Sequence, residues 1–338
     1  MKQLLILSGK GGTGKTTVAS AFIKLADARA YADCDVDAPN LHLVTEWATD
    51  PTKRDYYGLP VAKLTPELCT HCDLCRQHCR FGAISDGDQY SVDPYGCEGC
   101  GVCAYICPAQ AIEMVPAVAG ELMLYADEEK VFSTAQLRMG SGTSGLLVTE
   151  VKKEMKEVAH GIKPAVEVVY DNSKTAIKTA KDGKPAIEAA HDSKTVTNAA
   201  SDGKPVIEVD YGSEVAIIDG SPGIGCPVIA SLSGVDMVLI VAEPSLSGLS
   251  DMERIIRTAE GFDTKIAVCT NKYDMNLEIS EKIEQFCEER GLPFAGRIPF
   301  DPAAVRAVNN AKTIVDVECP SGTAVTDIFK KTMTLLFD

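Results

Sequence analysis

Near the amino terminus the apolar run QLLILS, residues 3–8, leads directly into GKGGTGKT, and then into KTTVASAFIKLADA, whose apolar positions recur at helical spacing. A strand, a glycine-rich turn and a helix in that order give the pattern G-x-x-x-x-G-K-[ST] the context it needs to be a phosphate-binding loop. Gly9, Gly11, Gly12 and Gly14, with Thr13 among them, let backbone N–H groups converge on phosphate oxygens. Lys15 reaches the β and γ phosphates, Thr16 offers its hydroxyl to Mg²⁺, and Thr17 follows in the first helical turn beside the nucleotide. A chain that starts this way needs a buried first strand with a helix packed over it.

The remaining periodicity extends that unit. Apolar runs at 215–218, 237–241 and 265–270 read as strands of a buried parallel sheet. Helical patterns such as SLSGLSDMERIIRTAEGF and EISEKIEQFCEERG alternate with them. Alternating strands and helices predict an α/β fold with a doubly wound, mostly parallel sheet and ligands at the carboxyl ends of the strands. The 338 residues, 45% of them hydrophobic, suffice for one large α/β domain and a small one. A net charge of −15 argues against a nucleic-acid partner, because binding a phosphate backbone needs a basic face.

No apolar run approaches the roughly 20 residues of a membrane span, and the amino terminus lacks the features of a signal peptide, so a cytoplasmic protein with no membrane partner is expected. In the terminal segment GTAVTDIFKKTMTLLFD, the apolar residues Val325, Ile328, Phe329, Met333 and Leu336 fall at helical spacing. It carries too few cations for a membrane-surface anchor and reads as a packed helix.

Eight of the thirteen cysteines form two combs of spacing C-x₂-C-x₂-C-x₃-C: Cys69, Cys72, Cys75 and Cys79, then Cys97, Cys100, Cys103 and Cys107. With nothing pointing to export, metal ligation accounts for them better than disulfides do. The doubled comb resembles the bacterial two-cluster ferredoxins, in which the fourth cysteine of each comb ligates the other cluster. That resemblance implies two [4Fe–4S] clusters, one on Cys69, Cys72, Cys75 and Cys107, the other on Cys97, Cys100, Cys103 and Cys79. Zinc is the rival metal, since C-x₂-C pairs also make tetrahedral zinc sites, but eight cysteines in this doubled pattern favour iron–sulfur. The proline that follows the fourth cysteine in the ferredoxins is present as Pro108 and replaced by Arg80 in the first comb. His71 and His78 are expected to be exposed bystanders. Cys34, Cys226, Cys269, Cys287 and Cys319 are expected to be small apolar core residues. Cys226 has a second reading, because it stands as far beyond Asp219 as a cluster-ligating cysteine does in the nitrogenase iron protein.

A second lysine inside the phosphate loop, Lys10 in KGGTGKT, resembles the deviant P-loop of the MinD, ParA, Mrp and nitrogenase-iron-protein group of ATPases. The resemblance implies Mg²⁺-dependent ATP hydrolysis by a homodimer that sandwiches nucleotide, with Lys10 reaching the partner's phosphates. ADCDVDAPNL resembles the first switch of that group, with Asp33 at a strand end and Asp35 acting on the attacking water. The role of Asp37 stays open. VAIIDGSPGIG resembles the second switch, where Asp219 holds the Mg²⁺ shell through water. Asn271 matches the adenine-contacting asparagine, while Asn271 to Asp274 also reads as the N-K-x-D of guanine-specific GTPases; the loop favours ATP. Pro299 and Asp301 match a base-flanking loop.

These resemblances predict an ATPase domain of residues 1–60 and 118–338, interrupted by a small α+β ferredoxin-like domain at 61–117. A Lys-, Asp- and Ala-rich repeat at 161–212 is read as a surface insertion. The function implied is coupling of nucleotide state to electron transfer with a redox or iron–sulfur partner protein. An Mrp-like cluster carrier is the alternative, and a MinD-like spatial organiser a third reading.

Overall fold

The computed structural model describes residues 1–160 and 211–338, apart from 46, 48 and 88. The chain opens with β1 (Lys2–Leu7), α1 (Lys15–Ala26), β2 (Ala30–Asp33) and β3 (Thr52–Tyr57). A small lobe follows, made of β4 (Val61–Leu64), α2 (Leu74–His78), β5 (Ile84–Ser85), β6 (Ser91–Val92), α3 (Val102–Ile106) and β7 (Ile112–Val115). The chain then returns through β8 (Val118–Ala126), β9 (Val131–Leu137) and α4 (Ser144–Ala159). Beyond α5 (Tyr211–Glu214) come β10 (Val215–Asp219), α6 (Cys226–Leu232), β11 (Met237–Ala242), α7 (Leu246–Ala259), β12 (Lys265–Asn271) and α8 (Leu277–Glu289). The last elements are β13 (Phe294–Ile298), α9 (Pro302–Asn309) and α10 (Pro320–Phe337). The repeat expected as a surface insertion lies outside the described residues except for its last two positions.

Nine strands form one sheet in the order β13-β12-β11-β1-β10-β2-β9-β8-β3. From β13 to β9 every pairing is parallel, while β8 is antiparallel to both β9 and β3. The mostly parallel α/β sheet read from the sequence is therefore present, with its central strands at the expected apolar runs. In β1 the side chains alternate between faces. Leu5 and Leu7 enter a core with Val148 and Val151 of α4, Leu232 of α6 and Ile255 of α7. Leu4 and Ile6 enter the opposite core with Phe22 of α1 and Phe329 of α10. Burial on both faces is why these strands are continuously apolar. The terminal helix packs as expected, burying Val325, Ile328, Phe329, Met333 and Leu336. Among the described residues no helix is long and apolar enough to cross a membrane.

The small lobe has its own core, built on Ala62, Cys75, Ile84, Cys103 and Ile112. It hangs on the β4–β7 pair, so its entry and exit strands run side by side.

Two cysteine expectations are corrected. Cys226 is exposed, because it occupies the first turn of α6, on the outer side of the loop after β10. Cys319 is only partly buried and acts as a cap, its Sγ accepting from Gly322 N at the start of α10. Cys34, Cys269 and Cys287 are fully buried, as a small apolar side chain would be.

Lys152 is buried in α4, and its Nζ donates to the carbonyl oxygens of Ala230 (3.1 Å), Ser231 (2.6 Å) and Ser233 (2.7 Å) at the end of α6. These are the orphan acceptors of a helix terminus. Replacing the ammonium by an apolar group of similar length leaves them unsatisfied. Lys152→Met is predicted to lower the unfolding free energy by about 2–3 kcal/mol, read from urea denaturation.

Candidate functional site

At the carboxyl end of β1 the chain turns through Gly12 and Gly14, both with positive φ, and enters α1 with no side chain capping its first turn. The amino-terminal N–H groups of α1 are thus free for an anion. Gly14 takes φ +92°, which L side chains rarely adopt, and a Cβ there would also press on Asn271 Nδ2. The residues predicted to handle phosphate and metal converge beneath this loop. Lys15 Nζ lies 2.5 Å from Asp219 Oδ1, and Thr16 Oγ1 donates to Asp219 Oδ2 at 2.6 Å. Asp33, at the end of the neighbouring β2, accepts from the backbone N–H groups of Asp35, Asn40 and Leu41, each at 3.0 Å. The two loops are joined directly, Cys34 N donating to Asp219 O at 2.7 Å.

The charges are concentrated in a buried space. Burial works against the Lys15 ammonium, but Asp219, Asp33 and Asp35 outweigh it and hold its pKa above the ordinary value. Burial, followed by the charge of Asp219, pushes the Asp33 carboxyl up to about 7. Asp35 is also raised, by burial. The arrangement can grip a polyphosphate through Lys15 and backbone N–H groups. It also offers Asp219, Thr16 and Asp35 as oxygen donors to a hard cation or a water, the donor chemistry that Mg²⁺ prefers.

The predicted base site also assembles. Gly12, Gly14, Thr17, Asn271, Pro299 and Asp301 all line one cavity of about 270 Å³, walled by Ile298, Val305 and Val325. Asn271 Nδ2 donates to Thr13 O at 2.6 Å, fixing the strand end to the phosphate loop. Asp301 is used locally, accepting from Ala303 N as the cap of α9 and from Ser321 Oγ. Asp274 accepts from Phe300 N at 2.7 Å and is not among the residues lining the cavity.

Lys10 turns back within its own chain, its Nζ 2.7 Å from Glu243 Oε2 and 3.2 Å from Ser245 Oγ. Glu243 also pairs with Lys272, which itself donates to Gly12 O. These lysines, Lys10 first, hold the Glu243 carboxyl below its usual pKa. Sequence reading missed Glu243; its only signal is its place just after β11.

The two cysteine combs fold alike. Left-handed residues recur 28 positions apart, at His71 and Gly99, Asp73 and Gly101, and Gly82 and Gln110. The helices α2 and α3 stand at the same offset. Cys69, Cys72, Cys75 and Cys107 line one pocket. Cys79, Cys97, Cys100 and Cys103 line a second. The fourth cysteine of each comb therefore faces the quartet of the other. Backbone N–H groups approach two of the sulfurs, Ala62 N to Cys97 Sγ at 3.4 Å and Ala111 N to Cys107 Sγ at 3.3 Å. Among the described residues no three such side chains stand close enough to chelate a single ion; the quartets surround voids instead. His71 and His78 are exposed.

Two predictions follow from the charges. Glu243→Gln should release Lys10, and amine-reactive labelling of Lys10, followed by peptide mass spectrometry, should become several-fold faster. In the nucleotide-free protein, Asp33 keeps a proton between about pH 4 and pH 7 that the unfolded chain has lost. Its contribution to stability is therefore full below about pH 4 and lost as pH rises through 7, and Asp33→Asn should flatten that decline in urea titrations at pH 5 and 8.

An uncharacterized protein of Methanocaldococcus jannaschii is 26% identical to this chain, over 97% of this chain and 95% of its own length. The pyruvate synthase subunit PorD of Thermotoga maritima is 41% identical over 59 residues, 16% of this chain and 56% of PorD. Among solved structures, the cell division ATPase MinD of Pyrococcus furiosus superposes with a TM-score of 0.50 over 99% of both chains at 15% identity, a likeness of fold. Residues 4–314 match the family described as the CobQ/CobB/MinD/ParA nucleotide binding domain, and the chain belongs to that family.

Proposed function

We propose that this chain is a Mg²⁺-dependent ATPase that couples its nucleotide state to electron transfer through two [4Fe–4S] clusters, carried by residues 61–117 as a ferredoxin-like domain inserted between 1–60 and 118–338. The observation that carries the redox half is the pair of voids, each bounded by four cysteines, three from one comb and one from the other. That exchange is the ligation pattern of two-cluster ferredoxins. In each quartet the four thiols line one half-open pocket instead of closing on a single point. When bound, such clusters supply one-electron chemistry. The chain's part is to fix the thiolates and to direct the amides of Ala62 and Ala111 at Cys97 and Cys107, contacts that tune potential.

The nucleotide half rests on family membership and on the convergence of Lys15, Thr16, Asp33, Asp35 and Asp219. In this reading Lys15 and the loop amides bind phosphate, Asp219 and Thr16 hold Mg²⁺, and Asp35 orients the attacking water. Charge neutralisation and positioning of this kind are most of what phosphoryl transfer requires. ATP is favoured over GTP because Asp274 is engaged with Phe300 N outside the base cavity. A homodimer formed with ATP would draw Lys10 from Glu243 to the opposite phosphates. The occupants of the electron path would be a protein partner and, upstream, a reductant. An Mrp-like carrier role would require clusters that leave readily; four cysteines to each cluster, only one of them exposed, favour resident ones.

Protein purified without oxygen is expected to hold about eight iron and eight sulfide per chain. Cys72→Ser should lose one cluster and keep ATP binding. Zinc in place of iron overturns the redox reading. Lys15→Ala should abolish nucleotide binding, whereas Asp35→Ala should bind normally and hydrolyse at least a hundredfold more slowly; equal loss of binding in both variants would sink the division of roles.

A further inference from the structure

Between the small lobe and the main sheet runs a glycine-rich segment, residues 138–145, RMGSGTSG, made of the loop after β9 and the first two residues of α4. It touches the Asp35 loop, the start of α6 beyond Asp219, and the lobe beside the second cysteine quartet. At its start Leu137 N donates to Val36 O at 2.8 Å, and Val36 lies between Asp35 and Asp37 in the loop after β2. The next residue binds the exit of the small lobe, Arg138 N to Ala119 O at 2.8 Å and its guanidinium to Val118 O at 3.2 Å. Adjacent peptides thus tie the Asp35 loop to the point where the lobe rejoins the sheet.

The far end of the loop meets the other acidic switch. A Cβ on Gly145 would stand 3.2 Å from the backbone carbonyl oxygen of Cys226, which follows the Asp219 loop and starts α6. Between these ends the loop faces the second cysteine quartet. A Cβ on Gly142 would lie 3.2 Å from Glu98 Oε2, and Glu98 follows Cys97 directly. Gly140, at φ +85°, faces the ring of Tyr95. The chain entering the lobe is held here too, since a Cβ on Gly58 would be 2.8 Å from Thr143 Oγ1.

The same loop borders a cavity of about 310 Å³ whose walls include Cys97, Glu98 and Tyr95 on the lobe and Arg138 and Thr143 on the sheet side. The lobe is therefore not close-packed against the sheet along this seam, and interiors transmit small shifts where they are packed and yield where they are not. The buried hydroxyl of Thr143, the residue preceding α4, has no hydrogen-bond partner and α4 no side-chain cap, so the loop is not locked into one internally satisfied conformation.

From these contacts we infer that residues 138–145 are a relay: rearrangement of the Asp35 and Asp219 loops moves this loop, and the loop moves the segment 95–100 that carries Cys97 and Cys100, while the first quartet, which the loop does not touch, stays still. The inference builds on the proposed coupling and names its route. It concerns the motion of protein segments, so it is testable whether or not iron is present. A shift of a packed loop that biases a neighbouring lobe is a recognised form of switching.

The test is hydrogen–deuterium exchange of the full-length, anaerobically purified protein with and without MgATP, read by peptide, with iron content measured on the same samples. In the wild type, ATP should change exchange in 138–145 and in 95–100 at least twofold, and leave 69–75 unchanged. In Glu98→Ala combined with Gly142→Ala, the response in 138–145 should persist, which also reports that the variant folds and binds ATP. The response in 95–100 should be lost. A wild-type 138–145 that does not respond to ATP, or a 95–100 response of equal size in the variant, overturns the relay. Absence of iron with these responses intact contradicts the cluster assignment alone and leaves the relay standing.

Discussion

The pairing of Lys15 with Asp219, both almost wholly removed from solvent, is the contact on which the nucleotide end of the molecule depends. Such a pair costs several kcal/mol of desolvation and holds only because each charge has the other, with Thr16 binding the remaining carboxylate oxygen. It fixes three segments at one place. Lys15 starts α1, Asp219 ends β10, and the backbone of Asp219 receives Cys34 N from the end of β2. In the proposed reading, a nucleotide in the phosphate loop competes with Asp219 for Lys15, and the change reaches the Asp33 to Asp37 loop through the Cys34 N to Asp219 O bond.

The small lobe follows a different rule. Its core is thin, and two of its five buried residues are the cysteines Cys75 and Cys103. A unit this small is poorly stabilised by its own apolar burial. In the proposed reading the clusters complete that core, as metal sites commonly do in small domains. The 28-residue repetition of left-handed residues shows how little sequence is needed to build it twice: Gly99 and Gly101 adopt that conformation freely, while His71 and Asp73 do so against their ordinary preference. Asp73 is held there by its own contacts, accepting from Arg76, Gln77 and Tyr90.

The legible parts of the sequence were those in which a strong local pattern agrees with tertiary burial. β1, β10, β11 and β12 are continuously apolar because both faces are covered, and the phosphate loop is readable because its turn needs glycine at a positive φ, as at Gly14. The antiparallel extension was not legible. β3, TKRDYY, buries only Tyr56 and pairs by backbone hydrogen bonds with β8, so its side chains carry no alternation to read. Glu243 escaped because its role comes from two lysines distant in sequence, and Cys226 was misread because residue type alone does not tell which side of α6 its first residue takes, Cys226 being exposed and Val228 buried. The relay loop was invisible for a related reason: its glycines look like a plain connector until Glu98, Cys226 and Val36 are brought against it.

In the proposed reading, nucleotide and cluster share one energy landscape. The most direct measurement of this is a redox titration of the anaerobic protein followed by EPR, carried out without nucleotide, with MgADP and with MgATP. The account predicts two [4Fe–4S] signals, one of which changes its midpoint potential or line shape with MgATP, an effect abolished by Lys15→Ala. Two signals identical under all three conditions would contradict it.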